Sequence, residues 1–293
     1  MAHASPSTGQ YYVPHGSHWP ILGSIGLTLI VVGAAGLLNE TGGASSQWMM
    51  FAGVGVMIFM LFGWFGTVIR ESVSGMYNGQ VDVSFRMGMV WFIFSEVMFF
   101  AAFFGALFYA RMYSVPWLGG EGDKVATNEF LWPAFEAAWP SAGPAGMGGA
   151  FKTIPTWGLP LINTLLLLAS GLTLTFAHWA LIQGRRAPLC WWLAATIGLG
   201  ALFLYFQVYE YHHAYTELNL TLGSGVYGST FFMLTGFHGM HVTLGVIMLT
   251  VILFRCIKGH FNKENHFGFE AVAWYWHFVD VVWLGLFVFV YVV

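Results

Sequence analysis

Residues 87–110 read MGMVWFIFSEVMFFAAFFGALFYA, a run in which Glu96 is the single charged side chain. A helix needs about 20 mainly apolar residues to cross the hydrocarbon core of a bilayer. This run is therefore predicted to be a transmembrane helix with one acidic group near its middle. The whole chain agrees, because 57% of its 293 residues are hydrophobic and only 8% are charged, against about 25% charged residues in soluble domains.

Further apolar runs of similar length predict an all-α membrane protein with seven transmembrane helices. The predicted spans are residues 19–38, 48–69, 87–110, 157–182, 189–209, 227–254 and 271–293. We expect a cytoplasmic tail at 1–18, helices 1–2 within 19–69, a cytoplasmic loop at 70–86, helix 3 at 87–110, a long external loop at 111–156 and helices 4–7 within 157–293. The loop 111–156 is rich in proline, so it is expected to lie on the membrane surface rather than to cross it.

The distribution of basic residues predicts how the chain is oriented, because Lys and Arg accumulate in cytoplasmic loops. With the N-terminus in the cytoplasm, the inner side carries Arg70, Arg86, Arg185, Arg186, Arg255, Lys258 and Lys263. The outer side then carries only Arg111, Lys124 and Lys152. We therefore expect a cytoplasmic N-terminus and a C-terminus on the opposite side.

Several classes of function are disfavoured by the sequence. The net charge of -3 is not informative about nucleic acid, and no basic patch indicates contact with it, so none is predicted. Cys190 and Cys256 are far apart in sequence and form neither a disulfide framework nor a Cys-x-x-Cys site. The chain has no phosphate-binding glycine loop, nucleophile elbow or His-Glu-x-x-His motif. We expect no catalytic residue, no metal ligand and no cofactor belonging to this chain.

Polar side chains inside the spans are the candidates for function. An acid at the bilayer centre costs about 2.5–3.5 kcal/mol to insert, so Glu96 should be a neutral carboxyl that handles protons, contacts lipid or bonds inside the bundle. His238 and His241 share one helix face at spacing i, i+3, and interhelical hydrogen bonds are favoured over metal binding. His277 and Asp280 have the same spacing and predict a pair that neutralises its own charge. His212 and His213 lie beside Glu210 at a predicted helix end, where water is expected to reach the two histidines.

Two further patterns have a functional and a structural interpretation. Arg70, Glu71, Arg255 and Lys258 fall at the predicted inner face, where basic groups either bind lipid phosphates or only set orientation. The abundant glycines, 37 in all, predict close helix approach, for example at Gly63/Gly66 and Gly236/Gly239.

Six stretches together resemble the cytochrome c oxidase subunit III family. They are VIRES (68–72), FSEVMFF (94–100), LASG (168–171), GVYGSTFF (225–232), TGFHGMHV (235–242) and HFGFEAVAWYWHFVDVVW (266–283). The resemblance runs from the first span to the C-terminus, and the last stretch is long and specific. Thr67 stands where an acidic residue is often found, which affects charge pairing beside Arg70. The external loop looks longer than in mitochondrial members, which suggests a bacterial inner (plasma) membrane.

The resemblance implies a non-catalytic subunit of a haem–copper oxidase in the respiratory chain. In that family, helices 1–2 form an arm, helices 3–7 form a bundle, and phospholipid fills the cleft between them. Haem and copper lie in partner subunits, and the chain packs on subunits I and II, supporting proton uptake and stability during turnover. Carried over to this sequence, the lipid contacts are Arg70, Glu71, Glu96, Arg255 and Lys258.

Two other functions fit the residues alone. One is an independent proton-coupled transporter in which Glu96, His238 and His241 form a relay. The other is a membrane haem protein in its own right, ligated by two histidines. Co-purification with haem proteins separates a subunit from a transporter, and the absorbance spectrum of the isolated chain tests for haem.

Overall fold

The computed structural model describes residues 11–14, 16–146 and 148–292. The described residues form helices and turns and contain no β-strand. Seven helices are long and apolar enough to cross a membrane, which confirms the predicted number of spans. In chain order, the helices are α1 (Trp19–Leu38), α2 (Gly43–Val73), α3 (Gly79–Tyr109), α4 (Val115–Leu118), α5 (Val125–Leu131), α6 (Leu159–Ile182), α7 (Arg186–Thr216), α8 (Gly225–Lys258) and α9 (Phe267–Leu286). Most of the predicted tail at 1–18, together with Met147 and Val293, lies outside the described residues.

Most long helices extend beyond the apolar run that predicts them. The predicted loop at 70–86 is mainly helical, because α2 continues to Val73 and α3 begins at Gly79. An ion pair of 2.7 Å between Arg86 Nε and Asp82 Oδ2 joins successive turns at the start of α3. At the other end, a π-helical turn (Ala110–Ser114) joins α3 to α4. Polar residues can extend a helix into the interfacial region because backbone hydrogen bonding continues there.

The chain forms two compact units, residues 1–87 and 88–293. In the first unit, α1 and α2 pack at small residues. A Cβ on Gly33 would lie 2.6 Å from the backbone nitrogen of Met50, and a Cβ on Gly53 would lie 2.7 Å from the carbonyl oxygen of Gly26. These backbones touch directly, which is how helices gain packing energy where burial of apolar surface from water is absent.

The core of the second unit forms around α9, the most buried of the spans. Trp276 is fully buried, and its Nε1–H donates to Ser170 Oγ of α6 at 2.9 Å. Its ring lies between two glycines: a Cβ on Gly200 of α7 or on Gly245 of α8 would come within 2.6 and 2.7 Å of it, respectively. Trp283 makes an equivalent hydrogen bond of 2.9 Å to Thr164 Oγ1. Indoles anchored in this way set the rotation of α9 against α6.

The long loop after α5 is held against the connection between α7 and α8. The side-chain amide of Asn219 donates to the carbonyl oxygens of Gly148 and Ala150 at 3.1 and 2.9 Å. The Phe151 ring stacks on Tyr227, with centroids 5.4 Å apart. The loop is therefore anchored to the helical bundle, and its position on a membrane surface stays a prediction.

Candidate functional site

Glu96 of α3 contacts His241 of α8 inside the second unit. Glu96 Oε2 lies 2.9 Å from His241 Nε2. The His241 side chain is only 6% exposed and that of Glu96 is 21% exposed. His241 is therefore almost fully covered by the protein, whereas Glu96 remains partly accessible. The rings of Phe99 and Phe100 lie with centroids 5.8 and 5.0 Å from that of His241. The environment of the pair is therefore aromatic and poor in water.

Hydrogen bonding around His241 requires the pair to share a proton. His241 Nδ1 lies 2.6 Å from the carbonyl oxygen of Phe237, which can only accept. Nδ1 must then carry hydrogen, which leaves Nε2 of a neutral ring as an acceptor. Glu96 therefore donates an O–H to Nε2, or both ring nitrogens are protonated and Glu96 is a carboxylate. In either state, the pair holds one exchangeable proton within the span.

We expect the neutral form of the pair, because an ion pair in an apolar site is opposed by the cost of desolvating both charges. The infrared spectrum should contain a protonated-carboxyl band that is lost in Glu96→Gln. Glu121→Gln, which changes an exposed loop acid, is the control and should leave that band unchanged. Loss of a carboxylate band in Glu96→Gln would instead place the proton on His241 and contradict the neutral assignment.

His238 has a separate environment from His241. It is fully buried, its Nε2 lies 3.2 Å from the carbonyl oxygen of Val279, and its ring packs on Trp283 and Phe203. Among the described residues, His238 has no hydrogen bond to His241 or Glu96. The arrangement is that of an interhelical packing contact between α8 and α9 rather than a second step in a proton chain.

His277 and Asp280 lie close together on α9, next to α6. His277 Nδ1 is 3.6 Å from Asp280 Oδ2, and the side chains are 46% and 9% exposed. A Cβ on Gly171 of α6 would lie 2.6 Å from the same carboxylate oxygen. Gly171 therefore provides the space into which Asp280 is directed.

The first unit contains Arg70 and Glu71 of the proposed lipid contacts. Arg70 Nη2 donates to Thr67 Oγ1 at 3.2 Å, so a hydroxyl takes the place of an acidic partner. Glu71 accepts from the phenols of Tyr12 and Tyr77 at 3.0 and 2.7 Å. Burial, and then the hydrogen bond to Glu71, raise the pKa of Tyr77 and of Tyr12, which keeps both phenols protonated as donors. The Glu71 carboxylate is thus already solvated by protein, whereas Arg70 remains exposed.

Arg255 and Lys258 lie in the last turn of α8, where cations interact favourably with the helix dipole. The Arg255 guanidinium carbon is 4.2 Å from the centre of the Phe261 ring, and Lys258 is exposed. Arg186 Nε donates to the carbonyl oxygen of Cys256 at 2.9 Å and adds a third cation that the sequence did not single out. Burial, together with Arg255 and Lys258, lowers the pKa of His260, so this histidine is a weak proton acceptor.

Glu210 of α7 is a buried carboxyl that the sequence did not single out. Glu210 is 1% exposed, and Tyr291 donates its hydroxyl hydrogen to Glu210 Oε1 at 2.6 Å. The predicted span 189–209 ends before Glu210, whereas α7 continues to Thr216 and the C-terminal segment contacts the Glu210 side chain. His212, two residues further on, is exposed, as the sequence predicted. A charged residue within a long apolar stretch was the available signal, but its partner lies 81 residues away in sequence.

Comparison with known proteins gives a consistent result over nearly the whole chain. Residues 9–293 match the family described as Cytochrome c oxidase subunit III. The chain is 40% identical to cytochrome c oxidase subunit 3 of Marchantia polymorpha, over 94% of this chain and 93% of that protein. It is 39% identical to the subunit 3 proteins of Raphicerus campestris, over 97% of both chains, and of Oncorhynchus mykiss, over 99% of this chain and 98% of that protein.

Proposed function

The chain belongs to the cytochrome c oxidase subunit III family, and on this basis we propose that it is a non-catalytic core subunit of a respiratory haem–copper oxidase. Its role would be to bind phospholipid, support proton uptake and maintain the oxidase during turnover. The observation that carries this proposal beyond family membership is the Glu96–His241 contact, which places a shared proton inside a helical bundle. Haem and copper would reside in partner subunits, since the candidate site consists of one carboxyl and one imidazole.

We propose that the partners are subunits I and II of the oxidase. The apolar stretches of α1, α2 and the span that begins with α3 are each only 11% buried within the chain, against 56% for the last span. Helices this exposed need apolar cover from lipid or from another protein. Packing on neighbouring subunits and on lipid would supply this cover.

The test of the proposed function is what purifies with the chain in mild detergent. A tagged chain should elute together with haem absorbance and with two partner chains. Elution without haem proteins would favour a proton-coupled transporter. Haem absorbance that stays with the chain after its partners are removed would favour a haem protein in its own right.

We propose that phospholipid headgroups bind at the basic end of α8. Lys258 is exposed and Arg255 is stacked on Phe261, and neither forms an ion pair with the residues that the structure describes, so both can present positive charge to a phosphate. Replacing Arg255 and Lys258 together by Ala should lower the phospholipid retained per purified chain by about one molecule. Unchanged phospholipid would mean that these cations serve orientation alone.

A matched control for this lipid experiment replaces two cations at the other end of the bundle. Arg111 and Lys124 lie 5.9 and 5.3 Å from the ring centres of Trp139 and Trp117, so the control also removes two positive charges, each of them near an aromatic ring. Arg111→Ala with Lys124→Ala should leave the retained phospholipid unchanged. Equal losses in both double variants would indicate a general effect of charge and argue against a site.

We propose that the chain lies in a bacterial inner membrane with its N-terminus in the cytoplasm. Arg185 and Glu217 are exposed and lie at opposite ends of the α7 segment, so they report on the two sides of the membrane. In a background without native cysteines, a membrane-impermeant thiol reagent added to intact cells should label Glu217→Cys and spare Arg185→Cys. The reverse pattern would invert the proposed topology.

A further inference from the structure

We propose that His178, His266 and Glu270 form a binding site for a divalent metal ion of the zinc class. His178 belongs to α6, whereas His266 immediately precedes α9 and Glu270 lies in its first turn. One ligand atom from each residue lies within 4.8 Å of the other two. Among the described residues, this is the only group of three or more His, Cys, Asp or Glu side chains arranged so closely.

Two distances between the ligand atoms can be compared with those around a tetrahedral ion. His266 Nε2 is 3.2 Å and His178 Nε2 is 3.9 Å from Glu270 Oε1. Bond lengths of about 2.0–2.1 Å to zinc place neighbouring ligand atoms about 3.3 Å apart. The distance from His266 already fits, and that from His178 is longer than this value. All three ligand atoms lie within 4.8 Å of one another, so ligation requires the His178 ring to move toward the other two residues.

The backbone ahead of α9 holds the His266 ring in a ligating orientation. His266 Nδ1 lies 3.0 Å from the carbonyl oxygen of Asn262, which can only accept, so Nδ1 carries hydrogen. The Asn262 side-chain oxygen accepts the backbone N–H of Glu264 and of Asn265 at 3.0 and 2.6 Å, which fixes this turn. A carbonyl that accepts from the second ring nitrogen is the usual support of a metal-bound histidine.

This orientation leaves two electron pairs directed at one another. The Nε2 atom of a neutral His266 is an acceptor, and it faces a carboxylate oxygen of Glu270 at 3.2 Å. A hydrogen or a metal ion is needed between them: a proton on His266, a proton on Glu270, or a bound cation. The structure favours a metal ion because a third possible ligand atom, which a single proton would not need, lies 3.9 Å from the same carboxylate oxygen.

That third atom is His178 Nε2. It is buried and has no hydrogen-bond partner among the described residues. Leaving a buried polar atom unsatisfied costs stability, and ligation would satisfy it. The His178 ring is held by Phe269 and His266, with centroid distances of 5.3 and 5.8 Å. Its side chain is 29% exposed, which leaves an entry path for an ion.

The donor set indicates which ion would bind. Two imidazoles and one carboxylate suit zinc, whereas magnesium and calcium prefer oxygen ligands. Three protein ligands leave a fourth position for water. Zinc has no redox chemistry, so such a site would tie the beginning of α9 to α6 without taking part in electron transfer. The sequence alone predicted no metal ligand, because His178 is far from the other two residues along the chain.

The test uses the intact complex, stripped with a chelator, equilibrated with zinc chloride and freed of unbound ion by gel filtration. Zinc per complex, measured by mass spectrometry, should be one ion higher in the wild type than in His178→Gln, His266→Gln or Glu270→Gln. His212→Gln, which changes an exposed histidine outside the group, is the matched control and should keep the wild-type value. Zinc held elsewhere in the complex cancels in these differences.

A second variant separates ligation from folding. His178→Cys replaces one zinc ligand by another, so it should bind the additional ion that His178→Gln lacks. Zinc should also raise the thermal midpoint of the wild type by a few degrees and leave that of His178→Gln unchanged. Equal zinc content in the wild type and the three Gln variants would overturn the proposal. Loss in all His178 variants, without recovery in His178→Cys, would also overturn it, because the effect would then reflect folding.

Discussion

An oxidase stripped of this chain should keep its haem absorbance and much of its initial rate, and its activity should then decay several-fold faster during turnover. The candidate site of one carboxyl and one imidazole offers no place for an electron carrier, so electron transfer should bypass the chain. Its contribution would come from packing and bound lipid, which shield the neighbouring subunit, and from proton supply. Oxygen consumption followed over many turnovers, with and without the chain, measures both the initial rate and the decay.

The same comparison at two pH values tests the role in proton uptake. As pH rises, fewer protons reach the oxidase directly from water, so proton collection by carboxyl and histidine groups on the inner face would contribute more to proton uptake. We expect the rate of the stripped oxidase to fall more steeply with pH than that of the intact enzyme. Immediate loss of haem absorbance on removal would contradict the proposal, because it would imply a ligand supplied by this chain. Identical decay curves would leave only a role in assembly.

Replacing Trp276 by Ala should destabilise the chain by about 3–5 kcal/mol, the usual cost of removing a large buried aromatic side chain. The ring is fully buried between α7 and α8, and its indole N–H is bonded to Ser170. The cavity would open where three helices meet α9, and Ser170 would lose a partner. Thermal unfolding of the purified complex, followed as loss of the chain from its size-exclusion peak, measures the effect.

Trp191→Ala is the matched control, because Trp191 is 76% exposed at the beginning of α7. It should shift the unfolding midpoint little.

Gly245→Ala tests the same core by adding volume rather than removing it, since its new Cβ would lie 2.7 Å from the Trp276 ring. Overpacking of about 1–3 kcal/mol should outweigh the gain of about 1 kcal/mol in helix propensity. Gly239→Ala, also in α8 but with open space at its Cβ, should show only the gain. Equal unfolding midpoints for Gly245→Ala and Gly239→Ala would contradict this account of the core.

The glycine contacts show how far sequence spacing predicts packing. The sequence favoured Gly63/Gly66 and Gly236/Gly239 as points of close helix approach. Gly63 does lie against a ring, that of Trp19, but Gly66 and Gly239 face open space and Gly236 has only one neighbour, at 3.5 Å. The tight contacts at Gly200 and Gly245 were not predicted, because their common partner, Trp276, comes from a different helix. Spacing identifies glycines on one face of a helix, but it does not identify the helix that this face meets.

For Glu96, the sequence predicted the residue but not its partner. The residue was evident because a lone acid in an apolar run is anomalous wherever the helix packs. Its partner was not, because His238 and His241 lie three residues apart in the same helix and both were candidates for the same role. In the structure, His241 is hydrogen-bonded to Glu96, and His238 is hydrogen-bonded to the backbone of α9. The rotation of α8 about its own axis decides between them.

Sequence alone determined the seven spans, the anomalous acid and the resemblance to the family, because run length, composition and motif order are local properties of the chain. Tertiary structure decided the Glu96–His241 pair, the burial of Glu210 and the meeting of His178 with His266 and Glu270. Each of these contacts joins residues from separate helices. It depends on the rotation and depth of one helix against another, and those follow from packing over the whole bundle rather than from any single stretch of sequence.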